Sequence, residues 1–177
     1  MKKIACLSAL ACVLAVGATN AFAGDSTVTA GYAQGDAQGV ANKANGFNLK
    51  YRYDFDNTNP LGVIGSFTYI EHDDTTSDVY SKGQYYGITA GPVYRLNDWA
   101  SIYGVIGVGY GKFDNNVVNA ATADNRDKQS TSDYGFSYGA GLQFNPIENV
   151  ALDVSYEQSR IRNVDVGTWI AGVGYRF

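Results

Sequence analysis

The sequence predicts an all-β protein, an eight-stranded antiparallel transmembrane β-barrel. Eight segments place large apolar or aromatic residues at every second position and small or polar residues between them. This period of two is that of a strand with two different faces. The apolar rows carry aromatic residues near their ends, as the lipid-facing rows of outer-membrane barrels do. A soluble edge strand would explain the alternation but not the aromatic ends.

Residues 1–23 are predicted to be a signal peptide, and residues 24–177 the barrel. A positively charged start precedes an apolar run over residues 4–16, which is too short to span a membrane as a helix with those flanks. A small-residue cleavage motif ends at Ala23, so the mature chain is expected to begin at Gly24. A lipoprotein cut before Cys12 is a poorer alternative, because the residues before that cysteine fit badly.

Removal of the signal peptide changes the composition of the chain. Both cysteines leave with it, so the mature chain is expected to have no disulfide. Removing the two lysines from the 13 basic residues leaves 11 against 17 acidic ones, a net charge of −6. An acidic exported chain argues against nucleic acid as a partner. No later stretch is apolar enough to predict a transmembrane helix.

The first four strands are predicted at residues 27–34, 47–55, 61–71 and 85–96. In the second, five large side chains alternate with polar ones: Phe47, Leu49, Tyr51, Tyr53 and Phe55. A soluble sandwich would bury that row, whereas a barrel in lipid turns it outward. Pro92 lacks the N–H that a central strand uses in its ladder, so we interpret it as the mark of a β-bulge in the fourth strand.

The last four strands are predicted at residues 100–113, 134–144, 150–162 and 168–177. The start of the fifth is ambiguous, because Tyr103 and Val105 are as apolar as Ile102. Farther along this strand the outer row alternates with glycines. The eighth strand ends the chain on an aromatic residue.

The connections predict the orientation of the barrel. Short ones lie at residues 56–60, 97–99 and 145–149, and longer polar ones at 35–45, 72–83 and 115–131. Outer-membrane barrels place turns in the periplasm and loops outside, so both termini are expected in the periplasm. The last connection, near Asn163, is short although it falls at the loop end. We infer that the strands themselves project beyond the membrane there.

Charged residues on the inner rows predict a polar network in the lumen: Lys50, Arg52, Asp54, Arg95, Asp153, Glu157 and Arg176. Charges removed from water must be paired or hydrogen-bonded. An eight-stranded barrel leaves an interior just wide enough for side chains to fill. A packed polar core is therefore the favoured interpretation, with an ion pathway or a catalytic lumen as alternatives.

The sequence offers little support for an enzyme. The mature chain has one histidine, His72, beside Glu71 and Asp73. Neighbouring residues of an extended chain point to opposite faces, so they rarely converge on one metal ion. No nucleophile elbow or phosphate-binding loop is present. We expect no enzymatic activity and no cofactor.

Long runs of the chain resemble the Ail/OmpX/Lom family of enterobacterial outer-membrane proteins. The runs include GFNLKYRY, PLGVIGSFTY, TSDYGFSYGAGLQFNP and VDVGTWIAGVGYRF, and the resemblance extends nearly end to end. It implies an eight-stranded outer-membrane barrel whose strands protrude as a sheet with an exposed edge. The departures from the family fall mainly in the connections at residues 72–83 and 115–131.

The resemblance also implies a function and a set of partners. Loops and strand edges are expected to bind external host proteins, in adhesion, invasion or defence against host factors such as complement. The last strand resembles the signal read by the barrel assembly machinery, here Trp169, Val173, Tyr175 and Phe177. Outer-membrane lipid and lipopolysaccharide are expected around a monomeric barrel. An indirect structural or envelope-stress role and a narrow ion channel are the alternatives.

Overall fold

The computed structural model describes residues 24–37, 41–55, 58–76, 79–117, 129–161 and 164–177. Ala23, the predicted end of the signal peptide, and Cys12 lie outside the described residues. Eight strands form: β1 (Ser26–Ala37), β2 (Ala41–Asp54), β3 (Leu61–Thr76), β4 (Val79–Arg95), β5 (Ala100–Val117), β6 (Gln129–Ile147), β7 (Val150–Ile161) and β8 (Val164–Arg176). Among the described residues, no helix has the length and hydropathy of a membrane span.

The strands close into one antiparallel barrel in which each strand pairs with its neighbours in sequence. The closing ladder joins β1 to β8, from Thr27 opposite Arg176 to Ala37 opposite Val166. At one end, which we call the turn end, the chain makes its tight connections, and the start of β1 meets the end of the chain, where Ser26 and Phe177 exchange two backbone hydrogen bonds. The opposite end is called the loop end. The predicted fold class is confirmed.

The register of the ladders defines the tilt of the strands. A path of paired residues around the barrel starts at Val28 and returns to β1 at Asp36, eight residues nearer the loop end. The partners on this path are Tyr51, Gly65, Ala90, Ile106, Tyr138, Gln158 and Gly167. A stagger of this size in an eight-stranded barrel corresponds to a tilt of about 35°. Each residue then advances the chain by about 2.7 Å along the barrel axis.

The two faces of each strand are as different as the alternation predicts. Ile88, Ile106 and Val108 are 61, 63 and 57% exposed on the outer face. The ambiguity in β5 is resolved, since Ile102 faces outward whereas Tyr103 and Val105 are buried inside. Val28 has the same alternation as the outward-facing Tyr32 of β1, but it is only 6% exposed. Its register partners on both sides are tyrosines, whose large rings reduce the access to a small side chain between them.

The interpretation of Pro92 as a bulge is wrong. Pro92 pairs with Val63 of β3, and the register between β4 and β5 is the same on both sides of it. Pairing with β5 is interrupted only at Gly91 and Pro92. A proline can therefore be accommodated by losing rungs on one side without inserting an extra residue.

The long connections are shorter than the sequence predicts, because the strands continue into them. β3 and β4 stay paired as far as Thr76 opposite Val79, so most of the predicted loop at 72–83 is strand. β5 continues to Val117, and β6 begins at Gln129. Beyond the apolar band a strand has no lipid to face, so it loses the alternation by which it was recognised while keeping its backbone ladder.

Candidate functional site

The four strands β3 to β6 extend beyond their neighbours at the loop end. They contain 16, 17, 18 and 19 residues, against 12 to 14 in the other four. β2 pairs with β3 only as far as Asn45 opposite Glu71, and β7 pairs with β6 only as far as Arg160 opposite Phe136. The part beyond these two rungs is called the protruding sheet. Over their full lengths, β3 to β6 span about 45–50 Å along the barrel axis, whereas the lipid-facing apolar band of such barrels is about 25 Å tall.

The protruding sheet has two free edges. Residues 72–76 of β3 pair with β4 on one side only. Residues 129–135 of β6 pair with β5 on one side only, because the ladder to β7 begins at Phe136. Both edges therefore present backbone N–H and C=O groups without a partner strand in the described part of the barrel.

Aromatic rings cross the outer face towards the protruding sheet. One row passes over five strands, with neighbouring ring centroids 5.0 to 6.4 Å apart: Phe47, Tyr69, Tyr86, Tyr110 and Tyr134. These residues are register partners, and the path of register partners climbs towards the loop end. The row therefore rises by about 11 Å from first to last ring. Tyr134, at its top, is 78% exposed.

The predicted assembly residues lie on the outer face of β8. Trp169 is 62% exposed and packs against Tyr156, with ring centroids 5.0 Å apart. Tyr175 and Phe177 stack at the turn end, and Val173 lies between the two aromatic groups. Their recognition by an assembly machine stays a prediction.

An ion pair lies on the outer face beyond the Tyr156–Trp169 contact. The Arg160 guanidinium donates to Asp165 through Nε at 2.8 Å and Nη2 at 3.3 Å. Arg160 is exposed, so solvent screens the pair. The hydrogen bond from Arg160 holds the pKa of the Asp165 carboxyl below its ordinary value.

The middle of the lumen contains a buried cluster around Lys50. Its ammonium pairs with the Asp153 carboxylate and donates to Tyr103 Oη at 2.8 Å and Ser155 Oγ at 2.6 Å. The Tyr103 hydroxyl in turn donates to Asp153 Oδ2 at 2.8 Å. Lys50 and Asp153 are each 2% exposed. A cation from β2 and an anion from β7 thus fix each other through the lumen.

The next layer towards the loop end surrounds Glu157. Its two carboxylate oxygens accept from Ser66 Oγ at 3.0 Å and Thr68 Oγ1 at 3.2 Å. Asn48 donates to the same two hydroxyls at 2.8 and 2.9 Å. Hydroxyl groups therefore connect a buried carboxylate to a buried amide.

Above Glu157 the lumen becomes less polar. The hydroxyls of Tyr85, Ser137 and Ser159 form a hydrogen-bonded cluster. Ile70 and Ile170 pack together with Ala33 in an apolar cluster. These side chains lie in the lumen between the Glu157 layer and the loop end.

The turn end of the lumen contains a group of charges that we call the lumenal floor: Asp25, Arg52, Asp54, Arg95, Gln143 and Arg176. Arg52 donates to Asp54 Oδ1 from Nε at 3.0 Å and Nη2 at 2.8 Å. Its Nη1 donates to Gln143 Oε1 at 3.1 Å. Arg176 pairs with Asp25. Arg95 Nη2 lies 3.4 Å from Asp54 Oδ2.

The structure places four of the seven predicted lumenal residues in the floor, Lys50 and Asp153 in the middle cluster, and Glu157 in the layer beyond it. Sequence reasoning did not identify Tyr103, Gln143 or Asp25 as members of the network. For Tyr103 a signal existed, because the outward parity of Ile106 and Val108 places it on the inner row. Among the described residues, no group of metal-ligating side chains forms a site. The side chain of His72 lies outside the described residues.

Comparison with known proteins gives a consistent result. The outer membrane protein beta-barrel domain family matches residues 5–177. The chain is 76% identical over the full length of both chains to outer membrane protein X of Enterobacter cloacae. It is 41% identical to the attachment invasion locus protein of Yersinia pseudotuberculosis, covering 100% of this chain and 98% of the relative. Its fold resembles the crystal structure of Ail of Yersinia pestis in complex with the heparin analogue sucrose octasulfate, with TM-score 0.78, 42% identity and coverage of 87 and 99%.

Proposed function

Because the chain belongs to the family of outer-membrane β-barrels that includes outer membrane protein X and the attachment invasion locus proteins, we propose that its protruding sheet binds external host proteins. The barrel crosses the outer membrane with eight strands. In the proposed orientation the turn end and both termini are periplasmic, and the loop end faces outward. Binding then serves adhesion, invasion or defence against host factors such as complement.

The free edge of β6 carries this proposal. Seven consecutive residues, 129–135, pair with β5, and no strand of the described part of the barrel pairs with their other side. An extended segment of another protein can add to such an edge through backbone hydrogen bonds. Affinity then depends little on the sequence of the added segment, which suits binding to varied external proteins.

The tilt of the strands distinguishes the two free edges. The path of register partners climbs towards the loop end as it passes from β1 to β8. The open side of β6 therefore faces away from the membrane, whereas the open side of β3 faces back towards it. A partner approaching from outside has direct access to β6 only.

The sequences of the two edges favour the same choice. Residues 129–135 read QSTSDYG, with a single charged residue and several residues that suit strands. Residues 72–76 read HDDTT and follow Glu71. Charged residues on an edge strand oppose the addition of another strand. We therefore propose β6 as the binding edge and β3 as a protected one.

The relatives support an external ligand in general terms. The attachment invasion locus proteins are named for contact with other cells, and one was crystallised with a heparin analogue. Lipid and lipopolysaccharide around the outer face, recognition of β8 by the barrel assembly machinery, signal cleavage before Gly24 and a monomeric state belong to the same proposal.

The test compares three forms of the folded protein in binding to purified serum and cell-surface proteins. One is unchanged. One carries prolines at whichever alternating pair of β6, Ser130 and Ser132 or Thr131 and Asp133, directs its N–H groups away from β5. One carries matched prolines at Asp73 and Thr75 on β3. Prolines that remove the N–H groups directed away from β5 should reduce binding about tenfold, because each lost neutral backbone hydrogen bond contributes about 0.5–1.5 kcal/mol. The β3 variant should bind as the unchanged protein does.

Two outcomes would contradict the proposal. Equal binding by all forms, and by a barrel lacking residues 72–83 and 112–131, would exclude the protruding sheet as the binding surface. No binding by any form would favour an indirect envelope role. Single-channel recording would then test a narrow channel, which the filled lumen argues against.

A further inference from the structure

The outer face carries a level girdle of aromatic rings at the turn end. Four alternate strands each contribute one ring: Tyr53, Tyr94, Phe144 and Tyr175. From each of these strands to the next, the path of register partners climbs two residues, and the next ring lies two residues nearer the turn end. The climb and the offset cancel, so the four rings lie at one height along the barrel axis.

The rings nearest the loop end are not level. Among the side chains that the structure describes, the last outward rings of β1 to β6 follow one path of register partners: Tyr32, Phe47, Tyr69, Tyr86, Tyr110 and Tyr134. This path climbs by about 14 Å from first to last. The height then falls back between β6 and β7, because the last ring of β7 is Tyr156, which pairs with Ala140. Trp169 of β8 pairs with Tyr156 and continues the low side.

At one height, the wall is therefore polar on one side of the barrel and apolar on the other. Val108 of β5 pairs with Phe136, which pairs with Arg160 of β7. These two steps place Val108 at the height of Gln158, two residues before Arg160. Val108 and Phe136 are each 57% exposed on the outer face. Beside them, β7 has already changed to an amide and an exposed guanidinium.

Tyrosine hydroxyls identify these last rings as the edge of the lipid-facing band. The Tyr32 hydroxyl donates to Asn45 Oδ1 at 2.5 Å, and the Tyr69 hydroxyl donates to Glu71 Oε2 at 2.8 Å. Asn45 and Glu71 are register partners, so a polar row follows the row of rings. Tyrosine with its ring on an apolar surface and its hydroxyl on a polar group is typical of a membrane–water interface.

The height of the apolar band thus differs around the barrel. From the level girdle to the last ring is about 27 Å on β6 and about 14 Å on β7. A band of about 25 Å, usual for such barrels, fits the first value and exceeds the second. Inclination of the whole barrel would level the upper rings only by tilting the lower girdle. Compression of a bilayer has a modest cost, whereas burial of Arg160 in hydrocarbon is expensive.

We propose that the outer leaflet is thinned beside β7, β8 and β1, where lipid headgroups descend to the level of Tyr156 and Trp169. There the headgroups contact Gln34, Gln158 and Arg160. Along β5 and β6 the leaflet keeps its ordinary thickness, and its acyl chains cover Val108 and Phe136. This inference rests on the proposed orientation, in which the loop end faces outward.

The experiment measures paramagnetic broadening of backbone amide signals by NMR. The unchanged protein is placed in phospholipid nanodiscs, whose two faces are both open to water. The amides of Gln158 and Val108 are matched probes, because they lie at one height. A water-soluble gadolinium chelate should broaden Gln158 several-fold more than Val108, and a nitroxide at the end of the acyl chains should do the reverse. Tyr94 and Tyr175, on β4 and β8 in the level girdle, should respond equally to the chelate.

Two results would overturn the proposal. Equal broadening at Gln158 and Val108 would show a flat outer leaflet, and unequal broadening at Tyr94 and Tyr175 would show an inclined barrel. Since no host protein is present in the nanodiscs, either result would leave the proposed binding at the β6 edge untouched.

A pair of leucine variants tests whether polar side chains determine the boundary. Gln34→Leu combined with Gln158→Leu extends the apolar wall on the low side, so the chelate broadening at residue 158 should fall towards that at Val108. Gln84→Leu, beyond Tyr86 on the high side, is the matched control and should leave the difference unchanged. If the combined variant also leaves it unchanged, the polar side chains do not thin the leaflet and the proposal is wrong.

Discussion

The inner and outer faces of the barrel wall differ sharply, although their side chains alternate along the same strands. Lys50 is 2% exposed, whereas its neighbour Tyr51 is 38% exposed, and Glu157 is 3% exposed beside Tyr156 at 37%. The outer face obtains its apolar environment from lipid, so it needs no precise packing. The inner face has no solvent to satisfy its charges, so each depends on a specific partner.

This difference implies that the polar residues are the structural core of the protein. In a soluble domain, burial of apolar side chains supplies the main stabilisation, and a surface ion pair adds little. Here polar and ionic groups join strands that are not neighbours, as in the contact between β2 and β7 made by Lys50 and Asp153. The comparison therefore predicts that substitutions on the inner face lower the free energy of unfolding most, and those on the outer face least.

The largest effect is expected from Asp153→Ala. It leaves the Lys50 ammonium buried with only Tyr103 and Ser155 as partners, and loss of one member of a buried pair costs about 3–5 kcal/mol. Urea unfolding in lipid vesicles would measure the change in the free energy of unfolding. A double variant, Lys50→Met with Asp153→Leu, should recover most of it, because no buried charge is left unpaired.

The control for this prediction is Arg160→Ala on the outer face. Its ion pair is exposed, so its removal should leave the free energy of unfolding within experimental scatter. If Asp153→Ala and Arg160→Ala lower the free energy of unfolding by the same amount, the proposed difference between the two faces is wrong.

A pair of glycines tests packing on the two faces without changing charge. A Cβ at Gly141 would lie 2.3 Å from Cζ of Tyr103, whereas a Cβ at Gly65 would meet no atom within 4 Å. Gly141→Ala should displace the Tyr103 phenol from Lys50 and Asp153 and cost about 1–3 kcal/mol. Gly65→Ala, directed towards lipid, should be tolerated. A larger loss for Gly65→Ala than for Gly141→Ala in the same unfolding assay would contradict this interpretation.

The sequence predicted the fold best where the outer face of the strands meets lipid along their length. The number of strands and the outer row of β2 follow from alternation, because lipid demands apolar side chains at every second position. The partners of Lys50 were not predictable, since Tyr103 and Asp153 approach it through space from other strands. The ends of β3 and β4 were missed because, outside lipid, a hairpin needs only its backbone ladder. The floor residue Gln143 carries no charge, so its alternation alone does not reveal that it accepts a hydrogen bond from Arg52.

The smallest effect is expected on the outer face beyond the aromatic rings, at Asp165. Hydrogen bonding from Arg160 lowers the pKa of this carboxyl from its ordinary value of 3.8. A group whose pKa is lowered by folding stabilises the folded state above its unfolded pKa, and loses that contribution as the pH falls through the folded pKa.

NMR titration of Asp165 should therefore give a midpoint below 3.8, which Arg160→Ala should return to its ordinary value. Because Arg160 is exposed and solvent screens the pair, the stabilities of the unchanged protein and Asp165→Asn should differ slightly at neutral pH and converge below the folded pKa. If Arg160→Ala leaves the midpoint unchanged, Arg160 does not hold the Asp165 carboxylate in the folded protein. The difference between the outer face and the lumen would then be larger than proposed.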